Sequence, residues 1–313
     1  MIKENAMRAV FEGAMKLKRE ETCLIVTDTI KKDIGLAFYE YAKKCCKNAE
    51  IIIIEPTREH GCEPPKNISD MMLKYDVQLL ITEKSLTHTA ARRMATLKGA
   101  RIATMPSITE DIANRCLDVD YGDLKEKSNK MYTILKSSGK IRVTSRKGTD
   151  MIFRIGESKF FGKDGGSFDF PGSFGNLPEG EVSFAPSESN GVYLVDASFP
   201  GLGLLDSPIT FKVENGRVIG ITGKRAEEII SRLDAVGPDA YLVAELGIGL
   251  NPSAKIIGNI LEDEKVIGTV HVAVGNNCTY GGKNDVPLHL DGVITEPSIV
   301  IDDRIIMHDG VFV

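Results

Sequence analysis

Two of the chain's five histidines fall in one stretch, TVHVAVGNNCTYGGKNDVPLHLDGVI (269–294). His271 leads the β-like run HVAVG, while His289 and Asp291 form H-x-D on a second β-like run. On a strand, residues two apart leave the same face, with attachment points about 7 Å apart, so both can reach one ion. Imidazole nitrogen and carboxylate oxygen together suit Zn²⁺, Mn²⁺, Co²⁺ or Fe²⁺. Upstream, VAELGIGLNP (243–252) places Glu245 at the end of an apolar run, before a glycine-rich turn. A strand that ends this way presents its carboxylate at the sheet edge, where sites gather. GNLPEGEVSFAP (175–186) repeats the pattern: Glu179 and Glu181 follow a proline turn, and Glu181 opens the strand-like EVSFA. Two carboxylates beside a His/His/Asp set supply enough ligands for two divalent ions about 3.5–4 Å apart, one ligand bridging. Taken alone, His271, His289 and Asp291 make the two-histidine, one-carboxylate set of non-haem Fe(II) oxygenases.

Other candidates have plainer readings. His60, His88 and His308 are expected to be hydrogen-bonded structural residues, and Glu262, Asp263 and Glu264 a charged, solvated loop. Tyr280 is either a packing aromatic or a hydroxyl held near the ion, and the glycines after it read as a loop rather than an anion nest. G-x-x-x-x-G-K-[ST], H-E-x-x-H and G-x-S-x-G are absent, and GLGLLD (201–206) lacks the third glycine of a dinucleotide loop.

The elements that must carry these residues fall into two groups. Over 1–139, helical patterns alternate with short apolar runs, the mark of βα units on a mostly parallel sheet. TCLIVT (22–27), IIII (51–54), QLLI (78–81) and RIAT (101–104) read as buried strands. Helices are expected near 3–18, 30–46, 68–75 and 87–98, with a further helical stretch at about 123–137. The character changes near 139. From 140 to 313 the chain reads as a β-rich α+β domain holding the metal residues, with hairpins, one helix near 223–235 and an irregular glycine-rich loop at 160–176. The Asn-Gly of ENGR marks a tight hairpin turn.

The 313 residues give about two domains and room for a real core. Lys and Arg number 39 against 44 Asp and Glu, a net charge of −5, so no basic field draws phosphate backbones or anionic lipid. Nucleic acid and membrane partners are not expected. Six cysteines without a C-x-x-C pair, an amino terminus lacking the apolar stretch of a secretory signal, and no long apolar run point to the cytoplasm.

On GNLPEGEVSFAP, AELGIGLNP, and GTVHVAVG followed by GGKN and LHLDGVI, the chain resembles the aminopeptidase T family of metallopeptidases. GARIATMPSITEDI (99–112) extends the resemblance into the first domain. It implies two divalent ions (Zn, Co or Mn) held by Glu181, Glu245, His271, His289 and Asp291. The stretch between the two histidines is shorter than in well-known members, so Tyr280 matches the family's catalytic tyrosine after a small local insertion. The expected activity is removal of N-terminal residues from small peptides or amino-acid amides, in a homodimer. Water bridging two ions has its pKa lowered from 15.7 toward about 7. Glu181 or Glu245 takes its proton, and Tyr280 hydrogen-bonds the developing oxyanion. Two alternatives stand beside it. A dihydroxypyridine ring-cleaving dioxygenase shares the aminopeptidase T-like fold and would use His271, His289 and Asp291 on Fe(II). A non-catalytic metal- or peptide-binding relative would retain the fold alone.

Overall fold

The computed structural model describes every residue from Met1 to Val313. Two compact units account for the chain: Met1–Glu126 with Asp164–Glu179, and Lys127–Lys163 with Gly180–Val313. The protein is of mixed α/β class, with a parallel sheet in the first unit and a larger antiparallel sheet in the second.

The parallel sheet has five strands in the order Asn48–Ile54, Thr22–Asp28, Val77–Ile81, Arg101–Thr104 and Phe174–Asn176. All four neighbouring pairs are parallel. The three inner strands are buried almost throughout, the reason their sequences are apolar runs instead of alternations. Helices Lys32–Cys45, Lys66–Met72 and Ala90–Leu97 connect them, and the amino-terminal helix Glu4–Arg8 continues as a π-helical turn over Ala9–Ala14. One core cluster gathers Leu24, Val26, Leu80 and Ile102 of the strands with Ile68, Met72, Ala91 and Ala95 of the helices.

The 160–176 segment differs from the expected loop. Its end, Phe174–Asn176, adds a parallel strand beside Arg101–Thr104, with Ile102 opposite Phe174 and Thr104 opposite Asn176. Three residues are too few to show a strand period, and the edge position is set by the neighbour's unpaired backbone groups rather than by the segment's own pattern.

The second unit carries an eleven-stranded sheet. Its order begins His289–Ile294, Val270–Gly275, Val243–Gly249, Glu181–Val195, Asp150–Phe161 and Lys140–Thr144. The hairpin Ile209–Glu214/Arg217–Thr222, closed by Asn215-Gly216, joins it through Glu181–Val195. One helix, Ala226–Asp234, lies within the expected 223–235. No helix of the protein is long and apolar enough to cross a membrane.

Candidate metal centre

Four adjacent antiparallel strands build the site, and their registers alone bring the residues together. Glu181 lies opposite Gly249, and Ser183 opposite Gly247. Gly247 in turn faces His271, while Glu245 faces Ala273, and Ala273 faces Asp291. His289 follows two residues before Asp291, opposite Gly275. Directly opposite residues share a face, as do residues two apart. Glu181, Ser183, Glu245, His271, His289 and Asp291 therefore all project from one side of the sheet. The positions between them on that side are small: Gly247 and Ala273. A β-carbon built at Gly247 would lie 2.0 Å from His271 Nε2 and 2.1 Å from Cε1. The imidazole thus crosses the neighbouring strand at the one residue type that leaves room for it.

The functional atoms converge. His271 Nε2 is 3.0 Å from Glu181 Oε2 and 3.3 Å from Glu245 Oε1. His289 Nε2 is 2.8 Å from Glu245 Oε2 and 3.2 Å from Asp291 Oδ1. Glu245 is thereby shared between the two imidazoles. Three overlapping groups of donors lie within 4.8 Å of one another: Glu181/Glu245/His271, Glu245/His289/Asp291 and Glu264/His271/Asp291. His271 and Glu245 are buried, and the His289 side chain, 28% exposed, is the more open of the two imidazoles.

Several features fit a cation. His289 Nδ1 donates to the Asn276 carbonyl at 2.7 Å, which leaves Nε2 as the ring nitrogen turned toward the carboxylates and available to a metal once its proton is displaced. Glu181 Oε2 and Asp291 Oδ1 are buried, and each faces an imidazole nitrogen, His271 Nε2 and His289 Nε2, in place of a backbone or hydroxyl donor. A buried imidazole nitrogen and a carboxylate oxygen can share a metal in place of a proton, and donors of this kind suit a first-row divalent metal.

The electrostatics without a metal follow from this crowding. Burial pushes the Glu245 carboxyl up, but hydrogen bonds from His271 and His289 outweigh it and hold it well below the usual range. Glu181 is likewise raised by burial and brought below its ordinary value by Lys265 and His271. Burial disfavours charged His271 and His289, yet Glu181 and Glu245 for the first, and Asp291 and Glu245 for the second, raise both imidazoles well above their ordinary pKa.

Tyr280 closes one side. It ends the turn Cys278–Tyr280, followed by Gly281 at φ +80°, and its hydroxyl lies 3.2 Å from Ser183 Oγ. Its ring is 5.1 Å from that of Phe161, edge-on, and 6.4 Å from that of His289. Burial, with Glu245 and Glu181 beside it, raises the phenol well above its ordinary pKa and keeps it a neutral donor. The glycines that follow do not form an anion nest. Gly282 N–H donates to the Asn277 carbonyl, and Asn284 N–H to Asn277 Oδ1.

The structure corrects one reading of the sequence and adds two residues. Glu262, Asp263 and Glu264 do not form a solvated loop. Glu262 Oε1 accepts from Lys255 N–H, and Asp263 accepts from Ile257 and Gly258 N–H, so backbone donors replace water and both residues are fully buried. Glu264 is thereby carried to the site, beside His271 and Asp291. Burial, with Glu181 and Asp291 nearby, lifts its carboxyl to about 8 against the pull of Lys265. Lys265, its side chain 1% exposed, places Nζ 2.7 Å from Glu181 Oε1 and 2.5 Å from Glu264 Oε1. A run of four charges in LEDEK looks solvated in any linear pattern, and only its fold onto Asn251, whose N–H donates to the Lys265 carbonyl, buries it. Glu179 lies in the other unit and belongs to none of the three donor groups.

The family model described as NicX, 2,5-dihydroxypyridine 5,6-dioxygenase, matches residues 5–313. A 2,5-dihydroxypyridine 5,6-dioxygenase of Pseudomonas putida (strain KT2440) is 25% identical over 248 residues, covering 74% of this chain and 70% of that protein. Among solved structures, 2,5-dihydroxypyridine dioxygenase from Pseudomonas putida KT2440 superposes with a TM-score of 0.83 at 19% identity, covering 99% of this chain and 96% of the other. Wild-type AmpT from Thermus thermophilus superposes with a TM-score of 0.72 at 16% identity, covering 99% of both. The aminopeptidase T-like fold expected from the motifs is therefore present, but the family assignment is not supported. With it fall the hydrolase, the metallo-aminopeptidase and the peptide substrate, since a shared fold does not fix the chemistry it carries. Nothing supports two ions of Zn, Co or Mn. A match running through nearly the whole length, from residue 5 to the last, places the chain in the NicX family of 2,5-dihydroxypyridine 5,6-dioxygenases.

Proposed function

We propose that this chain opens a dihydroxylated pyridine-type ring with dioxygen, using one Fe(II) held among Glu181, Glu245, His271, His289 and Asp291. The observation that carries the reading is the meeting of His271, His289 and Asp291 around Glu245, the donor types of non-haem iron oxygenases, in a member of this family. Bound Fe(II) would supply the one-electron chemistry that lets dioxygen react with a closed-shell ring.

The chain's own residues do the rest. The Asn276 carbonyl holds His289 in the tautomer that offers Nε2. Buried Glu245 and His271 exclude water from the inner side of the site. Tyr280, a neutral phenol against Ser183, offers a hydrogen bond to an oxygen substituent of the ring. Phe161, packed edge-on against Tyr280, also lines a cleft of about 540 Å³ with Tyr132, Phe160, Lys136, Lys159 and Lys163. Aromatic walls and ammonium groups suit a flat ring bearing acidic hydroxyls.

Oxygen consumption by the Fe(II)-loaded protein tests the reading, with 2,5-dihydroxypyridine, its positional isomers and a set of amino-acid amides. The expected result is oxygen uptake mole for mole with loss of one dihydroxypyridine and no amide hydrolysis. Iron-loaded protein that consumes no oxygen with any of these rings would overturn it.

A further inference from the structure

Two of the donor groups, Glu181/Glu245/His271 and Glu245/His289/Asp291, share Glu245. Such an arrangement is what a pair of bridged divalent ions needs. One feature of this chain opposes it. Lys265 Nζ lies 2.7 Å from Glu181 Oε1 and 2.5 Å from Glu264 Oε1, with only 1% of its side chain exposed. The ammonium lies between two acids that each belong to a donor group.

We propose that Lys265 is a positioning residue that takes the place of a second cation: it pairs with Glu181, holds Glu264, turns Glu181 Oε2 toward His271, and so limits the centre to one divalent ion. This rests on the metal-centre reading above. Three carboxylates, Glu181, Glu245 and Asp291, crowd this face beside the Glu264 carboxyl, and burying that much like charge is unfavourable unless cations compensate it. An ammonium at Lys265 supplies one such charge from within the chain. Glu181 and Glu264 keep it in place, since a buried ammonium needs acceptors for its donors. A second divalent ion on Glu181 would stand against that ammonium, and like charges a few ångström apart in a poorly hydrated site repel strongly. The lysine also explains the division within Glu181 itself, where Oε1 is taken by Nζ while Oε2 faces His271 Nε2 at 3.0 Å.

Cobalt tests this directly. Protein stripped with chelator, reloaded with excess Co²⁺ without oxygen and desalted is assayed for cobalt per chain, alongside the visible ligand-field spectrum. The native chain is expected to hold about one Co²⁺, and Lys265→Met about two, with a changed spectrum, because the freed carboxylates then accept a second ion. Lys265→Gln, which keeps a donor to Glu181 without the charge, is expected to behave as Lys265→Met does. Lys265→Arg, which keeps the charge, should return to about one ion and a spectrum near that of the native chain. Two ions in the native chain would overturn the proposal whatever the variants do. So would a folded Lys265→Met or Lys265→Gln that stays at one ion with an unchanged spectrum. The outcome is independent of oxygen uptake: one ion natively and two without the lysine support the proposal even if no dihydroxypyridine is consumed.

Discussion

The imidazole of His271 lies across the backbone of Gly247, so close that a β-carbon there would meet Nε2 at 2.0 Å. A glycine in the middle of a fully buried strand weakens the strand, and its presence here buys space for a ligand's ring. Gly247→Ala cannot be relieved by rotating a flexible chain end, because both atoms belong to packed strands. The ring must swing away from Glu181 and Glu245. Expected results are a loss of about 1–3 kcal/mol in stability from overpacking and a fall of about 10–100-fold in metal affinity, the usual size for disturbing a ligand's support. Chemical denaturation and metal titration of the same preparation read both.

Glu245 touches both imidazoles, at 3.3 and 2.8 Å, and no other residue does so. Glu245→Gln keeps the side chain's shape and one carbonyl oxygen but removes the charge that both rings face. Metal affinity is expected to drop by more than the roughly 100-fold that loss of an outer partner costs, with ring cleavage lost alongside it. Glu188→Gln is the control: Glu188 is an exposed partner of Arg154 on the strand Glu181–Val195, next to that of Glu245, and its substitution should change neither. Elemental analysis after desalting distinguishes the two. Metal retained by Glu245→Gln at native affinity would remove Glu245 from the centre.

How much of this was readable beforehand depends on the range of the interaction. Thr22–Asp28, Val77–Ile81 and Arg101–Thr104 announce themselves because strands buried on both faces are continuous apolar runs. The spacing of His289 and Asp291 puts them on one side of a strand, and the registers with Ala273 and Gly275 bear out that shared face. Phe174–Asn176 stayed hidden because three residues beside glycines carry no period. Glu264 and Lys265 stayed hidden because their burial depends on backbone N–H groups of residues 255–258 reaching Glu262 and Asp263. The chemistry was misjudged for a further reason: a set of donor residues on a fold marks where a metal could be held, whereas hydrolysis or oxygenation depends on the metal and on what surrounds it.

Tyr280 and Ser183 face each other at 3.2 Å, and only Tyr280 also lies against His289. If the phenol donates to an oxygen of the ring, Tyr280→Phe should leave metal content unchanged and reduce kcat by about 10²–10³-fold, the loss found when one preorganised donor is removed. Ser183→Ala should cost far less, since it removes only the group that orients the donor. Because burial raises the phenol well above its ordinary pKa, no fall in activity from its ionisation is expected below pH 10. Steady-state kinetics of both variants across pH check this. Equal loss in the two variants would assign the pair a structural role.

Metal loading should release protons. Burial works against charge on His271 and His289, but the carboxylates beside them prevail and raise both imidazoles well above their ordinary pKa, so the metal-free chain holds a proton on each near neutral pH. A metal requires the Nε2 lone pairs, so both protons must leave. The sign follows: raised imidazole pKa values favour the metal-free state as pH falls, and apparent metal affinity climbs with pH, by about 100-fold per unit while two protons are displaced. Calorimetric titration in buffers of different ionisation enthalpy counts the protons. The same linkage sets thermal behaviour, since a ligand at 100 times its dissociation constant adds about 2.7 kcal/mol to the folded state, or about 5–10 °C for a unit of this size. Chelator should therefore lower the melting temperature by that amount at pH 8 and by less at pH 6. A melting temperature indifferent to chelator at both values would mean that these carboxylates and imidazoles are satisfied by one another and hold no metal.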